Sequence, residues 1–387
     1  MSIYHVVAIV LLTHLGVIGA KLLIALYAID LGATPLQVGL TFALFSILPA
    51  LFALTAGRWI DRTGVRLPLA LGCGGVGGAI ALIWAAPGLW ALYPMAALIG
   101  VSFMIYAVAG QSLVGGLGAP QERTRNFSYY SLGVALAGVI GRASTGVAID
   151  LIGHRGAALC LAIAPLFAFL MVIVLRARMP AAPREDASRP ARASARDLWA
   201  RPALRRALIA AAIIESGNEL FALFVPLYGS SLGLSATFIG LLLATYAGAS
   251  FVVRMVLPQL VRRFGEEGVL CGALAGAAVV GILMISTSVP ALLLALAAVF
   301  GLTLGCGMPL SMALTYARAP EGRAAEAIGL RQTVNKSIEV TVPVGFGALA
   351  GVAGLVPLAI ALSLVLAAGA GVIARDARRR RTPGGGR

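Results

Sequence analysis

Glu215, Asn218 and Glu219 stand at i, i+3 and i+4 in an otherwise apolar stretch, so on a helix they share one face. Two carboxyls one turn apart and out of water resist ionising together. Their expected chemistry is to hold and release a proton as one coupled unit. A second stretch carries Arg331, Gln332, Asn335, Lys336 and Glu339, within about 140° of helical arc. Glu339 is one turn from Lys336 and is its expected partner, with Glu219 as the alternative. Arg331 sits near the end of its stretch and is expected to snorkel toward water. Thr13, His14 and Lys21 share a face of a third stretch, and Arg142 and Gln111 lie in two more. Glu215, Glu219 and Glu339 are therefore the candidates for proton handling. His14, Lys21, Gln111, Arg142, Asn218, Asn335 and Lys336 are the candidates for contact with a small solute.

The elements that carry these groups are membrane spans. The 387 residues are 60% apolar and 12% charged, with a mean hydropathy of +0.95, which no water-soluble domain of this length shows. Apolar runs of spanning length recur at 4–28, 36–56, 67–86, 89–115, 128–149, 156–175, 206–228, 236–256, 268–286, 290–315, 327–350 and 354–374. The expected fold is an all-α membrane protein of twelve transmembrane helices. The first run is too long, and too poor in small residues at a cleavage point, for a removed signal peptide. Of thirty basic residues only Lys21 and Lys336 are lysines, and both fall inside spans. A charge at that depth costs a few kcal/mol or more, so it marks a wetted path or a partner charge.

The arginines set the orientation. With the N-terminus in the cytoplasm, twenty-five fall in cytoplasmic segments and only Arg155 outside. That bias places both termini in the cytoplasm and the protein in a bacterial-style inner membrane. The net charge of +15 is then topology plus attraction of anionic lipid to the basic loops and tail, and calls for no nucleic acid. Cys73, Cys160, Cys271 and Cys306 all lie in spans without metal-ligand spacing. His5, His14 and His154 are well separated. No metal, cofactor or catalytic constellation is expected, and so no enzyme.

The chain repeats itself. At an offset of 201 residues, Leu26-Tyr27 meets Leu227-Tyr228, Leu31-Gly32 meets Leu232-Gly233, and Gly39-Leu40 meets Gly240-Leu241. Ala43, Arg62 and Gly64 meet Ala244, Arg263 and Gly265, nine identities in about forty positions. Between the copies lies a stretch rich in Ala, Arg, Pro and Ser, a cytoplasmic linker. The expected division is 1–175 as an N-terminal six-helix bundle, 176–205 as linker, 206–374 as a C-terminal six-helix bundle and 375–387 as a basic tail. The linker's end, Asp197 to Arg206, can form a short surface helix. Parallel repeats are a transporter device, with the solute site near the midplane of the repeats.

After the second span comes Gly57-Arg58-Trp59-Ile60-Asp61-Arg62-Thr63-Gly64-Val65-Arg66. This resembles the G-x-x-x-D-R-x-G-x-R/K loop of the major facilitator superfamily, at the place that family puts it. Its second copy, ending Leu260-Val261-Arg262-Arg263-Phe264-Gly265, is degraded. The resemblance implies two pseudo-symmetric six-helix bundles and a cytoplasmic gate. Gly57, Asp61, Arg62, Gly64 and Arg66 would form that gate, the carboxylate of Asp61 resting at a helix N-terminus. Where antiporters of the family carry G-P-x-x-G-G, this chain reads Gly141-Arg142-Ala143-Ser144-Thr145-Gly146. The fourth-span R-x-x-Q-G of proton-coupled members is absent, although Gln111 is present. The motifs therefore assign neither direction nor coupling.

The embedded charges themselves imply a positive pole in the first half, from Lys21 and Arg142, and an acidic or proton-bearing pole in the second. The expected function is a monomeric secondary transporter working by alternating access. It would move a small anionic or zwitterionic solute with protons as the coupling partner. Proton-driven efflux of drugs or metabolites, and a non-transporting membrane sensor or scaffold, remain as alternatives.

Overall fold

The computed structural model describes residues 2–85, 88–117, 123–179, 195–320 and 324–381. Within them, thirteen α-helices run in chain order. These are α1 (Ile3–Asp30), α2 (Pro35–Thr63), α3 (Arg66–Leu82), α4 (Leu89–Gly115), α5 (Arg123–Leu175), α6 (Ala195–Ala200) and α7 (Pro202–Ser231). They continue as α8 (Ala236–Phe264), α9 (Glu266–Ile285), α10 (Pro290–Leu304), α11 (Gly307–Arg318), α12 (Ala324–Ala353) and α13 (Leu355–Arg381). Eleven helical segments are long and apolar enough to cross a membrane. The longest, α5, has 53 residues and leaves helical geometry at Gly153 (φ 70, ψ 170). Its two arms run along the same stretch of α1: Gly141 abuts Leu15 from one arm, and Pro165 abuts Gly16 from the other. The chain therefore reverses at Gly153, and α5 supplies two of the twelve spans.

Several boundaries differ from the sequence reading. The motif from Gly57 to Thr63 is not a loop but the last two turns of α2. No breaker precedes Gly64, whose φ of 76 ends the helix. The span read at 290–315 is two helices, α10 and α11, parted at Gly305-Cys306. Pro309, which has no N–H to give, sits in the first turn of α11. Carbonyls at that break find other donors: Arg254 Nε of α8 donates to Gly305 O at 3.1 Å and Cys306 Sγ to Thr303 O at 3.0 Å. Such repair is what lets a spanning helix break. Of the linker, 180–194 lies outside the described residues. Its end forms α6, separate from α7, with Leu198 buried against Leu204, Leu208 and Ala327. The start of the basic tail continues α13 as far as Arg381.

The repeat is written into backbone geometry. Every positive-φ residue among those described is a glycine, and the glycines form pairs 201 residues apart: Gly32 and Gly233, Gly64 and Gly265, Gly153 and Gly354. A left-handed backbone costs an L side chain about 1–2 kcal/mol, so both copies keep glycine there. Close crossings repeat as well. A Cβ on Gly100 of α4 would lie 2.3 Å from the Phe45 carbonyl oxygen of α2, and a Cβ on Gly301 of α10 would lie 2.3 Å from that of Tyr246 in α8.

The chain divides into two compact units: Met1–Ser188 with Pro226–Ala244, and Arg189–Val225 with Thr245–Arg387. The α7–α8 hairpin thus packs with residues of the first half, which the 206 boundary does not show. Asp150 is one reason. Its carboxylate accepts the backbone N–H of Ala236 at 3.0 Å and of Thr237 at 2.7 Å, capping α8. Below that cap Gly146 and Gly240 bring α5 and α8 into backbone contact. In the same unit the glycines of α3 serve both flanks. Gly72 and Gly75 press on Tyr106 and Ser102 of α4, while Gly74 and Gly77 press on Phe169 and Leu166 of α5.

Candidate functional site

In the second unit, α7 presents its polar face to two neighbours. Glu215 accepts a hydrogen bond from Asn335 Nδ2 of α12 at 3.4 Å. Asn218, nearly one turn on, accepts the hydroxyl of Tyr246 from α8. Glu219 is buried at 9% exposure. Tyr246 is held by aromatic packing, its ring 4.6 Å from that of Phe221, which stacks on Phe300 at 4.8 Å. Small residues allow these approaches. Gly217 seats α7 on Leu304 and Leu366, and Gly307 seats α11 on Ile214.

Arg331 corrects the sequence reading. It does not snorkel but is 1% exposed, among the largest fully buried side chains. Its NH1 lies 3.5 Å from Ser311 Oγ of α11, and the Glu215 carboxylate acts on it electrostatically. Its Nε and the Oδ1 of Asn335 have no hydrogen-bond partner among the described residues. A buried donor and a buried acceptor left so are costly, at about 1–3 kcal/mol each. The polar stripe of α12 is therefore divided. Arg331 and Asn335 face inward, and Gln332 is exposed. Lys336 is 43% exposed at its side chain and pairs with Glu339 at 2.7 Å. Glu339, rather than Glu219, is thus the partner of Lys336.

In the first unit, His14 is 6% exposed. Its Nδ1 lies 3.0 Å from the Val10 carbonyl and 3.3 Å from the Tyr106 hydroxyl. Phe103, Tyr106 and Tyr130 meet its ring edge-on at 5.1, 5.5 and 6.0 Å. Gln111 is exposed and reaches the same Tyr130. Lys21 places its Nζ 4.7 Å from the centre of the Phe42 ring, a cation–π contact. Arg142 donates from NH1 to the Gly138 carbonyl at 3.0 Å. Asp150 caps α8, and Asp30 lies 3.6 Å from His154. His14 and Gln111 thus share a neighbour, while Lys21 and Arg142 turn to different ones.

In the motif from Gly57 to Arg66, Arg62 is exposed, and Arg66 donates from NH2 to the Met179 carbonyl. The side chains of Arg58 and Asp61 lie outside the described residues. No group of three His, Cys, Asp or Glu able to hold a metal occurs among the described residues. Arg331, Ser311 and Tyr246 are the site residues that sequence reasoning did not select. The available signal was the i, i+4 spacing of Arg331 and Asn335.

The family model for the Major Facilitator Superfamily matches residues 6–343. The chain belongs to that superfamily. No curated protein matches it in sequence, but solved structures of major facilitator type share its fold. A bacterial homolog of the human lysosomal transporter Spinster, inward-facing and unoccupied, aligns with TM-score 0.73 and 15% identity over 97% of this chain and 96% of its own. A POT family transporter in complex with a thioalcohol-conjugated peptide aligns with TM-score 0.78 and 12% identity over 98% and 96%. The nucleoside transporter NupG aligns with TM-score 0.76 and 12% identity over 98% and 100%. At these identities the likeness is one of fold. As a major facilitator the protein is a multi-pass membrane protein and a secondary transporter, not an enzyme.

Proposed function

We propose that the protein moves a small organic solute bearing a carboxylate, anionic or zwitterionic, across the cytoplasmic membrane by alternating access. Transport is coupled to protons through Glu215 and Glu219. Both termini face the cytoplasm, the protein works as a monomer, and the basic loops and tail sit against anionic lipid. The observation that carries this reading is the polar cluster of Glu215, Asn218, Glu219, Arg331 and Asn335. On two helices of spanning length, Glu219, Arg331 and Asn335 are buried and Glu215 and Asn218 half-buried, where charge is costly. A merely structural helix face has no need of two carboxyls and a guanidinium there. Lys21 and Arg142 add cationic character in the first half.

Counterflow in liposomes tests it. Protein reconstituted with a panel of small carboxylates, amino acids and cationic dyes should exchange labelled carboxylate and acidify or alkalinise the lumen as it does so. Cationic dye exchange instead would favour efflux of drugs or metabolites. Exchange of no solute in the panel would overturn the carboxylate assignment. Glu215→Gln and Glu219→Gln should uncouple proton movement from solute. Intact coupling in both variants would remove the proton assignment.

A further inference from the structure

We infer that a groove between the start of α3 and the end of α5, lined by Arg66 and Arg176, holds the phosphate of an anionic phospholipid. This rests on the reading that the basic loops meet anionic lipid, and it names one place where they do so. The groove encloses about 440 Å³, within the ~300–1,000 Å³ of small-ligand sites. Its walls are apolar, with Leu67 and Ala70 from α3 and Val172 and Ile173 from α5. No acidic residue is among those that line it. Arg176 is exposed in the turn Arg176–Arg178 that follows α5. Arg66, also exposed, is steadied by its bond to the Met179 carbonyl. A guanidinium carries several N–H donors, so one neutral carbonyl does not satisfy it.

The repeat shows what the groove calls for. At the 201-residue offset Arg66 meets Glu267, and Val172 meets Ile373. Glu267, in the first turn of α9, pairs with Arg318, and the space they line together with Arg206 and Ile373 is only about 10 Å³. The second unit thus answers a guanidinium with a carboxylate of its own. In the first unit the same helix start carries a guanidinium instead, a second one lines the same groove, and the space stays open. Like charges in one groove repel each other. An anion taken from outside relieves both.

The surroundings select the anion. Beyond the groove α3 exposes Leu71 and Leu82, and the second arm of α5 exposes Phe167, Leu170 and Val174. Apolar faces left exposed on helices of spanning length meet acyl chains. A phosphate tethered to such chains reaches Arg66 and Arg176 while the chains cover these faces. Planar guanidinium groups hold phosphate oxygens through paired N–H donors. A headgroup amine would find no carboxylate among the lining residues. The fit is therefore to a lipid of net negative charge, such as phosphatidylglycerol, rather than to a zwitterionic one.

The test uses full-length protein washed free of lipid in an uncharged detergent. Thermal stabilisation reports binding to the folded state. Dioctanoyl phosphatidylglycerol should stabilise the wild type more than dioctanoyl phosphatidylcholine does, and inorganic phosphate at the same concentration should not stabilise it. Arg66→Gln and Arg176→Gln should each weaken binding of the anionic lipid about fivefold. Ala177→Phe keeps every charge and fills the groove that Ala177 lines, and it should weaken binding by as much or more. Arg205→Gln and Arg262→Gln remove exposed cations elsewhere and should leave binding unchanged. If Arg66→Gln fails to fold, Arg176→Gln and Ala177→Phe decide the matter. Equal stabilisation by the two lipids, stabilisation by phosphate alone, or unaltered binding in Ala177→Phe overturns the groove. Equal weakening by all four arginine variants overturns it as well, and leaves standing a diffuse contact of the basic loops with lipid. Absence of stabilisation by either lipid overturns both.

Discussion

Gly301→Ala probes how the fold holds Tyr246 on Asn218. An alanine Cβ there would lie 2.3 Å from the Tyr246 carbonyl oxygen and 2.9 Å from Ala249 Cβ. Ordinary contact begins near 3.4 Å, so α8 and α10 must part by about 1 Å. Forcing one extra carbon into a packed seam costs about 1–3 kcal/mol. Alanine also favours the helix over glycine by up to about 1 kcal/mol. Gly272→Ala in α9, where a Cβ meets nothing within 4 Å, has the second effect without the first. The difference between the two variants isolates the crossing and should be roughly 1–3 kcal/mol. Gly100→Ala should fall with Gly301→Ala, since its Cβ meets the Phe45 carbonyl at the same 2.3 Å. Unfolding in mixed micelles with added sodium dodecyl sulfate measures all three. Moving α8 also draws the Tyr246 hydroxyl away from Asn218, so Tyr246→Phe should cost less in the Gly301→Ala background than alone. Equal stability of Gly301→Ala and Gly272→Ala would refute the close-crossing argument.

Other substitutions separate kinds of interaction. Gly64→Ala and Gly265→Ala each place a side chain on a left-handed backbone, at φ 76 and 74. Each should lose about 1–2 kcal/mol; a neutral result at either would deny that the repeat constrains that turn. Asp150→Ala should cost about 1 kcal/mol by uncapping α8, and Asp150→Asn should recover most of it. Asparagine behaving as alanine does would show that the cap does not act through side-chain acceptance. Arg318 and Glu267 pair with side chains 9% and 19% exposed, and Lys336 and Glu339 with 43% and 16%. Arg318→Ala should therefore destabilise by about 3 kcal/mol or more, and Lys336→Ala by about 1 kcal/mol or less. Urea or detergent titration that ranks them the other way would contradict this use of burial.

Membrane spans were legible because lipid demands long apolar runs, and the reading failed only where a span ends or breaks. The extra turns of α2 through Gly57 to Thr63 carry charge and so lack an apolar signal, yet nothing in them stops a helix. The break at Gly305-Cys306 is invisible in hydropathy. It depends on Arg254 of another helix reaching the Gly305 carbonyl. Glycine pairs 201 residues apart could be seen as letters, but only the backbone shows that they share a left-handed conformation.

By itself the sequence determined the architecture: a twice-written run of spanning helices, the family motif from Gly57 to Arg66 and the residue types that charge its interior. Periodicity put Glu215, Asn218 and Glu219 on one face and left Lys336 a choice of Glu339 or Glu219, which the structure settles for Glu339. Tertiary structure decided which of these groups meet across helices. Glu215 turns to Asn335 and Arg331, Asn218 to Tyr246, Lys21 to Phe42 and Asp150 to the start of α8. The physical reason is that a face repeats along one helix every few residues, whereas a partner on another helix is set by how closely small residues let backbones approach.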